Sequence, residues 1–400
     1  MADRRGAEGL IEETVDGQGQ GAKTALEAGR AGLTGDDVVR GDLARILEDA
    51  GPELEAMGGH RLLITGGAGF LGYYLVQVAL AWNENADDTN RISVTALDSF
   101  ARGVPGWLDA LSGRELTLLR HDITQPLPDE LGHFEFVVHA AGIASPTYYR
   151  LHPIETMDAN VVGLRLLLDR AVDTANAGRA TRGFLFFSSS EIYGDPLPEH
   201  IPTPETYRGN VSCTGPRACY DESKRYGETL CVNFARQHGL PITIARPFNN
   251  YGPGLKITDR RVIPDLARDV LAGRDITLLS DGTATRTFCY ASEAVTGYYK
   301  VLVRGRASEP YNIGSEGPEI TVADLAERIA SLARRLFGYS GEVVYARSDE
   351  ADYLVDNPAR RCPSIAKARS ELGFEPSVDL DEGLARTLAW YAENRSGAEA

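Results

Sequence analysis

Between Arg61 and Asn249 the apolar residues gather into short, almost unbroken runs, separated by longer stretches where they return every three or four positions. A continuous apolar run reads as a strand buried on both faces, and the three-to-four spacing as an amphipathic helix. RLLITGGAGFLG is a strand that runs from Arg61 into a glycine-rich turn, and FLGYYLVQVALAW continues from Phe70 as a helix. Further strands are predicted at 92–98, 116–122, 134–142, 183–187 and 241–249, with helices around 153–175 and at 219–239. Strands alternating with helices in this way specify an α/β fold, a doubly wound parallel sheet of the Rossmann type.

After Tyr251-Gly252-Pro253 the elements become shorter and more mixed. RVIPDLARDVLAG, TVADLAERIASLARRLFG and DLDEGLARTLAWYAENR read as helices, ITLLSDG and GEVVYAR as short strands. They predict a smaller C-terminal mixed α/β domain closing over the carboxyl edge of the sheet. Ahead of the sheet, a Gln-, Gly- and Ala-rich tail gives way to Val38, Val39, Leu43, Ile46 and Leu47 at helical spacing. One amphipathic helix is expected there, packed on the body or on a second subunit in a structural role. The expected units are therefore 1–57 (tail and helix), 58–251 (sheet domain) and 252–400 (second domain, with segments returning to the first).

The chain has 400 residues and a net charge of −16. That balance argues against nucleic acid and anionic membrane as partners, since both select a basic face. Five cysteines without paired or Cys/His spacing fit a reducing cytoplasm and neither a disulfide framework nor a zinc site, and no metal is expected. The N-terminus lacks the apolar core of a signal peptide, and no run approaches the roughly 18 apolar residues of a membrane span. A soluble cytoplasmic protein is expected.

The chemistry begins at Gly66, Gly69 and Gly72, which stand between the first strand and its helix with Phe70 and Leu71 inside the turn. Such a turn lets the backbone approach a pyrophosphate, and the helix start offers amide donors. Asp98 ends the next strand, where a carboxylate suits the adenosine ribose hydroxyls and repels a 2′-phosphate, so NAD is favoured over NADP. Arg102 is close enough in sequence to soften that preference. Asp122, followed by Ile123, ends the third strand and is a candidate for the adenine edge; ordinary strand-end solvation is the competing reading for both aspartates. His139 reads as a core or cofactor-lining residue.

Tyr220 and Lys224 form Y-x-x-x-K on a helix, on one face. An ammonium beside a phenol favours the phenolate, and a phenol so tuned takes a proton from an alcohol as hydride leaves the carbon. The segment SSSEIYGDP (188–196) follows a buried strand and sets Ser188, Ser189, Ser190 and Glu191 at its carboxyl end. TGGAGFLG, this serine segment, Y-x-x-x-K and RPFNNYGPG fall in that order, and over about residues 60–395 the chain resembles the extended short-chain dehydrogenases/reductases that act on nucleotide sugars. The resemblance implies that Ser189 and Tyr220 hold the hydroxyl being oxidised, that Lys224 also holds the nicotinamide ribose, and that Asn249 meets the nucleotide diphosphate.

Within that family SSSEIYGDP is most similar to the S-T-S-E-V-Y-G-D-P of the UDP-glucuronate decarboxylases. ASPTYYRLHPIETMDANVVG (144–163), TRTFCY (285–290) and DNPARRCPSIAKARSELGFEP resemble the same subclass. Dehydratases carry an aspartate where Ser190 stands, and epimerases usually a small or polar residue in place of Glu191. The resemblance implies oxidation at the sugar's 4-position, loss of carbon dioxide, and UDP-xylose as product. Ser190 and Glu191 are expected on the ring side and in proton delivery, Tyr149 in positioning the sugar, and Arg261 and Arg286 in holding the substrate. Ser189 replaces the usual threonine and Gly254 the usual arginine, two departures that predict some release of UDP-4-keto-pentose. A 4-epimerase, a 4,6-dehydratase and an inactive NAD-binding scaffold are the alternatives. The family further implies a homodimer built on the helix of Tyr220.

Overall fold

A computed structural model describes residues 34–101, 103–113, 115–348 and 355–394; the readings of the N-terminal tail and of Arg102 lie outside them. At its centre is a parallel sheet of seven strands, β1 (Arg61–Thr65), β2 (Ser93–Asp98), β3 (Leu116–Arg120), β4 (Phe136–His139), β5 (Gly183–Phe187), β6 (Ile242–Pro247) and β7 (Pro310–Ile313). Their order is β7-β6-β5-β4-β1-β2-β3, every pair parallel. The order reverses between β1 and β4, and such a switch point opens a crevice at the carboxyl ends of the strands.

The apolar runs serve two cores at once, because successive side chains on a strand point to opposite faces. Leu62, Ile64, Phe136, Val138, Leu185 and Phe187 belong to one core. Leu63, Val137, Phe184 and Phe186 belong to the other. The first is closed by α1 (Gly35–Asp49), α2 (Phe70–Asn85) and, from the far end of the chain, a helix at Ala291–Arg304. The second is closed by α3 (Leu164–Asn176) and α4 (Ala218–His238).

The helix expected around 153–175 is interrupted. A short helix at Pro146–Leu151 precedes it, a second runs from Pro153 to Asp158, and Ala159–Gly163 is a π-turn leading into α3. Beyond Tyr251 come α5 (Val262–Leu271), α6 (Ala291–Arg304), α7 (Val322–Phe337) and α8 (Leu380–Glu393) with several two- and three-residue strands. One small sheet brings Thr285–Arg286 between Ile320–Thr321 and Arg360–Arg361, close to the end of β5. Helix α6 packs on the central sheet, and strand β7 completes its edge beside β6. Among the described residues no helix is long and apolar enough to cross a membrane.

Candidate active site

The turn between β1 and α2 is shaped for close approach. A Cβ on Gly66, which has φ +74°, would stand 2.7 Å from the amide nitrogen of Ala141, and one on Gly72 would stand 2.3 Å from the carbonyl oxygen of Gly67. Only glycine lets the turn fold this tightly against β4 and α2. Helix α2 starts at Phe70 with no side chain capping its free amides, which leaves them for an anion. Asp98 braces the turn, its carboxylate accepting from the amides of Ala68 (3.1 Å) and Phe100 (2.9 Å). Each oxygen still has a lone pair for a ribose hydroxyl. These features fit a dinucleotide: a tight glycine turn without side chains, an uncapped helix start, and a carboxylate at the tip of the neighbouring strand.

Asp122 closes its own turn, accepting from the backbone amide (3.0 Å) and hydroxyl (2.9 Å) of Thr124, while Ile123 is buried against Gly163. Local capping accounts for Asp122 as placed. His139 ends β4 with Nδ1 2.8 Å from the Thr65 hydroxyl, and burial, helped by Lys224, pushes it down to about 3. It is a neutral lining residue.

At the end of β5 the chain leaves the strand through Ser188, whose hydroxyl donates to Glu228 on α4 at 2.5 Å. Arg246 on β6 grips the same Glu228 through two bonds, at 2.8 and 2.6 Å. This buried pair fixes α4 against the sheet, one helical turn beyond Lys224. Ser189 then caps the 3-10 turn Ser190–Tyr193, accepting from the amide of Glu191 at 3.1 Å, and its hydroxyl acts on Tyr220. The capping bond to Glu191 therefore locates its hydroxyl without the threonine methyl. Ser190 is buried in the first position of the turn.

The expected lowering of Tyr220 by Lys224 is not what the protein alone provides. Burial pushes Tyr220 up to about 12, against the pull of the Ser189 hydroxyl, and burial pulls Lys224 down to about 7. Taking either charge out of water outweighs their mutual attraction, with the ammonium nitrogen 5.8 Å from the Tyr220 ring centre and donating to the carbonyl of Phe187 at 2.8 Å. Tyr149 lies parallel to Tyr220, ring centres 5.1 Å apart, and its buried hydroxyl has no partner. The Cys219 thiol donates to the Tyr149 carbonyl at 3.5 Å.

Glu191 is held differently from expectation. Arg361 meets both of its oxygens at 2.6 Å, and Arg217 donates to Oε2. Burial raises the carboxyl, but the two guanidiniums overcome it and hold it at about 2. A carboxylate so clamped stays ionised and makes a poor proton carrier; here it orients two arginines. Neither arginine was singled out from the sequence. Arg217 stands at the start of α4 and Arg361 in the second R of DNPARRC, and only the fold brings them together. The sole sequence trace was that the Arg361 segment resembles the decarboxylase pattern.

Arg286 also departs from its expected role. Its two terminal nitrogens donate to the carbonyls of Thr285 (2.7 Å), Pro358 (2.6 Å) and Ala359 (3.3 Å) and to the Asn357 side chain (3.4 Å). It latches the segment that delivers Arg361, and burial together with Arg361 pulls it down to about 9. Asp195 of the Gly-Asp-Pro turn holds the same segment through the amide of Ala359 at 2.9 Å. Asn249, at φ +42°, donates to the carbonyl of Thr287 at 2.8 Å. Arg261 pairs with Asp259 at 2.5 Å and lies over the Phe70 ring at 5.7 Å, half-buried beside the glycine turn. Gly254, at φ +87°, packs on Tyr73: a Cβ there would stand 2.5 Å from that of Tyr73.

A family model described as the NAD dependent epimerase/dehydratase family matches residues 62–314. The chain is 39% identical over 325 residues to UDP-glucuronic acid decarboxylase 3 of Arabidopsis thaliana, covering 81% of this chain and 86% of that protein. It is 35% identical over 332 residues to UDP-glucuronic acid decarboxylase 1 of Xenopus tropicalis, covering 83% and 72%. Among solved structures it is similar to a dTDP-glucose 4,6-dehydratase of Streptomyces venezuelae with NAD bound, at TM-score 0.70 and 28% identity over 84% of this chain and 98% of that one. It is also similar to the UDP-glucose 4-epimerase of Thermotoga maritima with UDP-glucose, at TM-score 0.69 and 26% identity over 84% and 99%.

Proposed function

Because the chain belongs to the NAD-dependent epimerase/dehydratase family, we propose that it decarboxylates UDP-glucuronate to UDP-xylose. The observation that carries this reading is the pair Arg217 and Arg361 holding a carboxylate beside Ser189 and Tyr220. Two buried guanidiniums against the single carboxylate of Glu191 leave a positive charge suited to an anionic sugar ring.

The residues then divide the work. The glycine turn, the start of α2 and Asp98 hold NAD, which when bound takes the hydride from the sugar's 4-position and gives it back. Ser189 and Tyr220 receive the 4-hydroxyl, and Tyr220 takes its proton while Lys224, in its ammonium form, favours the phenolate. Oxidised at that position, the sugar is a β-keto acid. Its carboxylate leaves as carbon dioxide when the bonding electrons move to the ketone oxygen, where the Ser189 and Tyr220 hydroxyls stabilise the enolate. One proton is then added at the 5-position, so each turnover consumes one proton. No aspartate stands at position 190 to expel a 6-hydroxyl, which disfavours a dehydratase. With the Ser189 hydroxyl anchored on the Glu191 amide, UDP-xylose is the expected end product. Arg261, Asn249 and Tyr149 line the approach to the sugar nucleotide.

Incubation with UDP-glucuronate and NAD should release carbon dioxide and UDP-xylose in equal amounts. Tyr220→Phe should cost roughly a hundredfold to ten-thousandfold in kcat, the usual weight of a general acid–base group. An isomeric hexuronate in place of carbon dioxide would make the protein an epimerase, and no product at all would make it a scaffold.

We also infer a homodimer. Leu151, Ile154, Val162 and Tyr226 are exposed on neighbouring helical segments around α4. Large exposed apolar side chains on adjoining segments suit a second copy. Light scattering on the purified chain should give twice the monomer mass; a monomer at micromolar concentration would reject this assembly.

A further inference from the structure

One buried group beside the reacting tyrosine has no part in the mechanism above. Asp221 follows Tyr220 on α4 and is 3% exposed, yet one of its oxygens, Oδ1, has no hydrogen-bond partner. The other lies 3.9 Å from Nε of Arg217, and that nitrogen is itself buried without a partner. Two orphaned atoms of opposite polarity thus belong to a pair held just beyond hydrogen-bond distance. Arg217 has meanwhile committed its Nη2 to Glu191. Two carboxylates compete for one guanidinium, and Glu191 holds it.

We infer that Asp221 is a positioning residue whose charge sets how firmly the site binds the substrate's carboxylate, so that UDP-glucuronate binds together with one proton taken up by Asp221. This rests on the reading that the sugar's carboxylate enters beside Arg217 and Arg361. The charged groups here are three arginines (Arg217, Arg286, Arg361) against two acids (Glu191, Asp221), an excess of one positive charge when both acids are ionised. The groups that act on Asp221 are Glu191 from the 3-10 turn, Arg361 from the latched segment and Tyr149 from the helix at 146–151. From its own helix they are Arg217, Cys219, Tyr220 and Glu222. Burial first, and then the negative charge of Glu191, push Asp221 up to about 7, so the group changes charge near neutrality.

An arriving carboxylate adds a third negative charge to this cluster. It raises the proton affinity of Asp221 further, and the proton comes from solvent: Asp221 carboxylate plus H⁺ gives the neutral acid. In that form Asp221 no longer competes with the substrate's carboxylate for the positive charge of Arg217, which stays on Glu191 through Nη2. The sign follows. Binding is favoured by protonated Asp221, so affinity for UDP-glucuronate falls as pH rises through neutrality. When the carboxylate has left as neutral carbon dioxide, the reason for holding the extra proton has gone.

Calorimetric titration of the NAD-loaded Tyr220→Phe protein, which binds without turnover, reads this directly. In two buffers of different ionisation enthalpy at about pH 7.5, UDP-glucuronate should take up close to one proton, and its Kd should rise up to tenfold per pH unit above neutrality. UDP-glucose, which lacks the carboxylate, should take up none. Adding Asp221→Asn should abolish the uptake and flatten the pH dependence while leaving UDP-glucose binding unchanged, and Asp221→Glu should restore uptake. Uptake that persists in the Asn variant, or no uptake in the parent protein, overturns the inference whether or not the variant folds well. Decarboxylation of UDP-glucuronate by the unsubstituted enzyme is measured separately. An active enzyme without linked protons sinks only this inference, whereas an enzyme that neither binds nor decarboxylates UDP-glucuronate sinks both.

Discussion

Gly254 shows how one side chain settles the identity of another. The motif resemblance puts an arginine at this position, and its loss suggests a missing contact to an anion. Tyr73 accounts for the glycine instead. Its ring is fixed edge-on between Trp107 (4.9 Å) and Trp390 (5.8 Å), and its Cβ and Cγ fill the space where any side chain at 254 would begin. The backbone at 254 also lies in the left-handed region. Gly254→Arg should therefore destabilise the protein by about 2–4 kcal/mol, combining backbone strain with overpacking. In thermal unfolding, the double variant with Tyr73→Ser should lose less than the sum of the single changes. Strict additivity would mean that Tyr73 is not what excludes the side chain. The same lesson holds at the catalytic centre. Ser189, Tyr220 and Lys224 were legible because two share one helix face and the third ends a recognisable strand. Arg217 and Arg361 were not, because they stand 144 positions apart, on a helix start and a two-residue strand, and their common partner Glu191 shows only in three dimensions.

Periodicity served the elements well wherever one face is wet. Helices α4, α5, α7 and α8 were read close to their true bounds, and the strands from β1 to β6 were each found, because their apolar runs and turn residues are distinct. Helix α6 escaped for the opposite reason. Eleven of its fourteen residues are buried, leaving almost no polar face to give it a period, and its valines and tyrosines carry strand character. With α6 went β7, the strand it feeds, which pairs parallel with β6 and completes the sheet. The broken helix between Pro146 and Asn176 has another cause. Pro146 and Pro153 each start a helical turn because proline suits that position, and the π-turn at 159–163 places the buried Asn160 so that its amide donates to Ser223 on α4 at 2.9 Å. A pattern count over 153–175 finds the helical character but not the interruption. The latched segment at 355–361 was illegible as an element, since its shape is set by Arg286 and Asp195 from elsewhere.

Taken whole, the molecule is tied together by a helix outside the matched family segment. Asp42 on α1 is fully buried and accepts hydrogen bonds from Tyr74 on α2 (2.5 Å), Tyr290 (2.8 Å) and Arg386 on α8 (2.8 Å). One carboxylate thus joins the helix that follows the dinucleotide turn to the last helix of the chain. Glu53 repeats the device with Arg304 on α6 at 2.9 Å, and Ile46, Ala50, Leu54 and Met57 enter the main core between these ties. The amphipathic helix expected from the sequence therefore packs on the body of its own chain. Its apolar spacing forecast the docking, but not that a buried acid would anchor it, because a lone aspartate in a helix reads as a solvated one. Burial raises the proton affinity of Asp42, against the pull of its three donors, so the site is costly unless all three remain. Asp42→Asn keeps the shape but removes the charge opposite Arg386, and should lower unfolding free energy by about 3 kcal/mol, the order found when one partner of a buried pair is lost. Limited proteolysis should then cut between α1 and β1 in the variant well before the sheet domain is lost, and NAD retention should weaken, because Tyr74 is no longer held. A variant that melts and resists protease like the parent would show that apolar packing alone holds α1 in place.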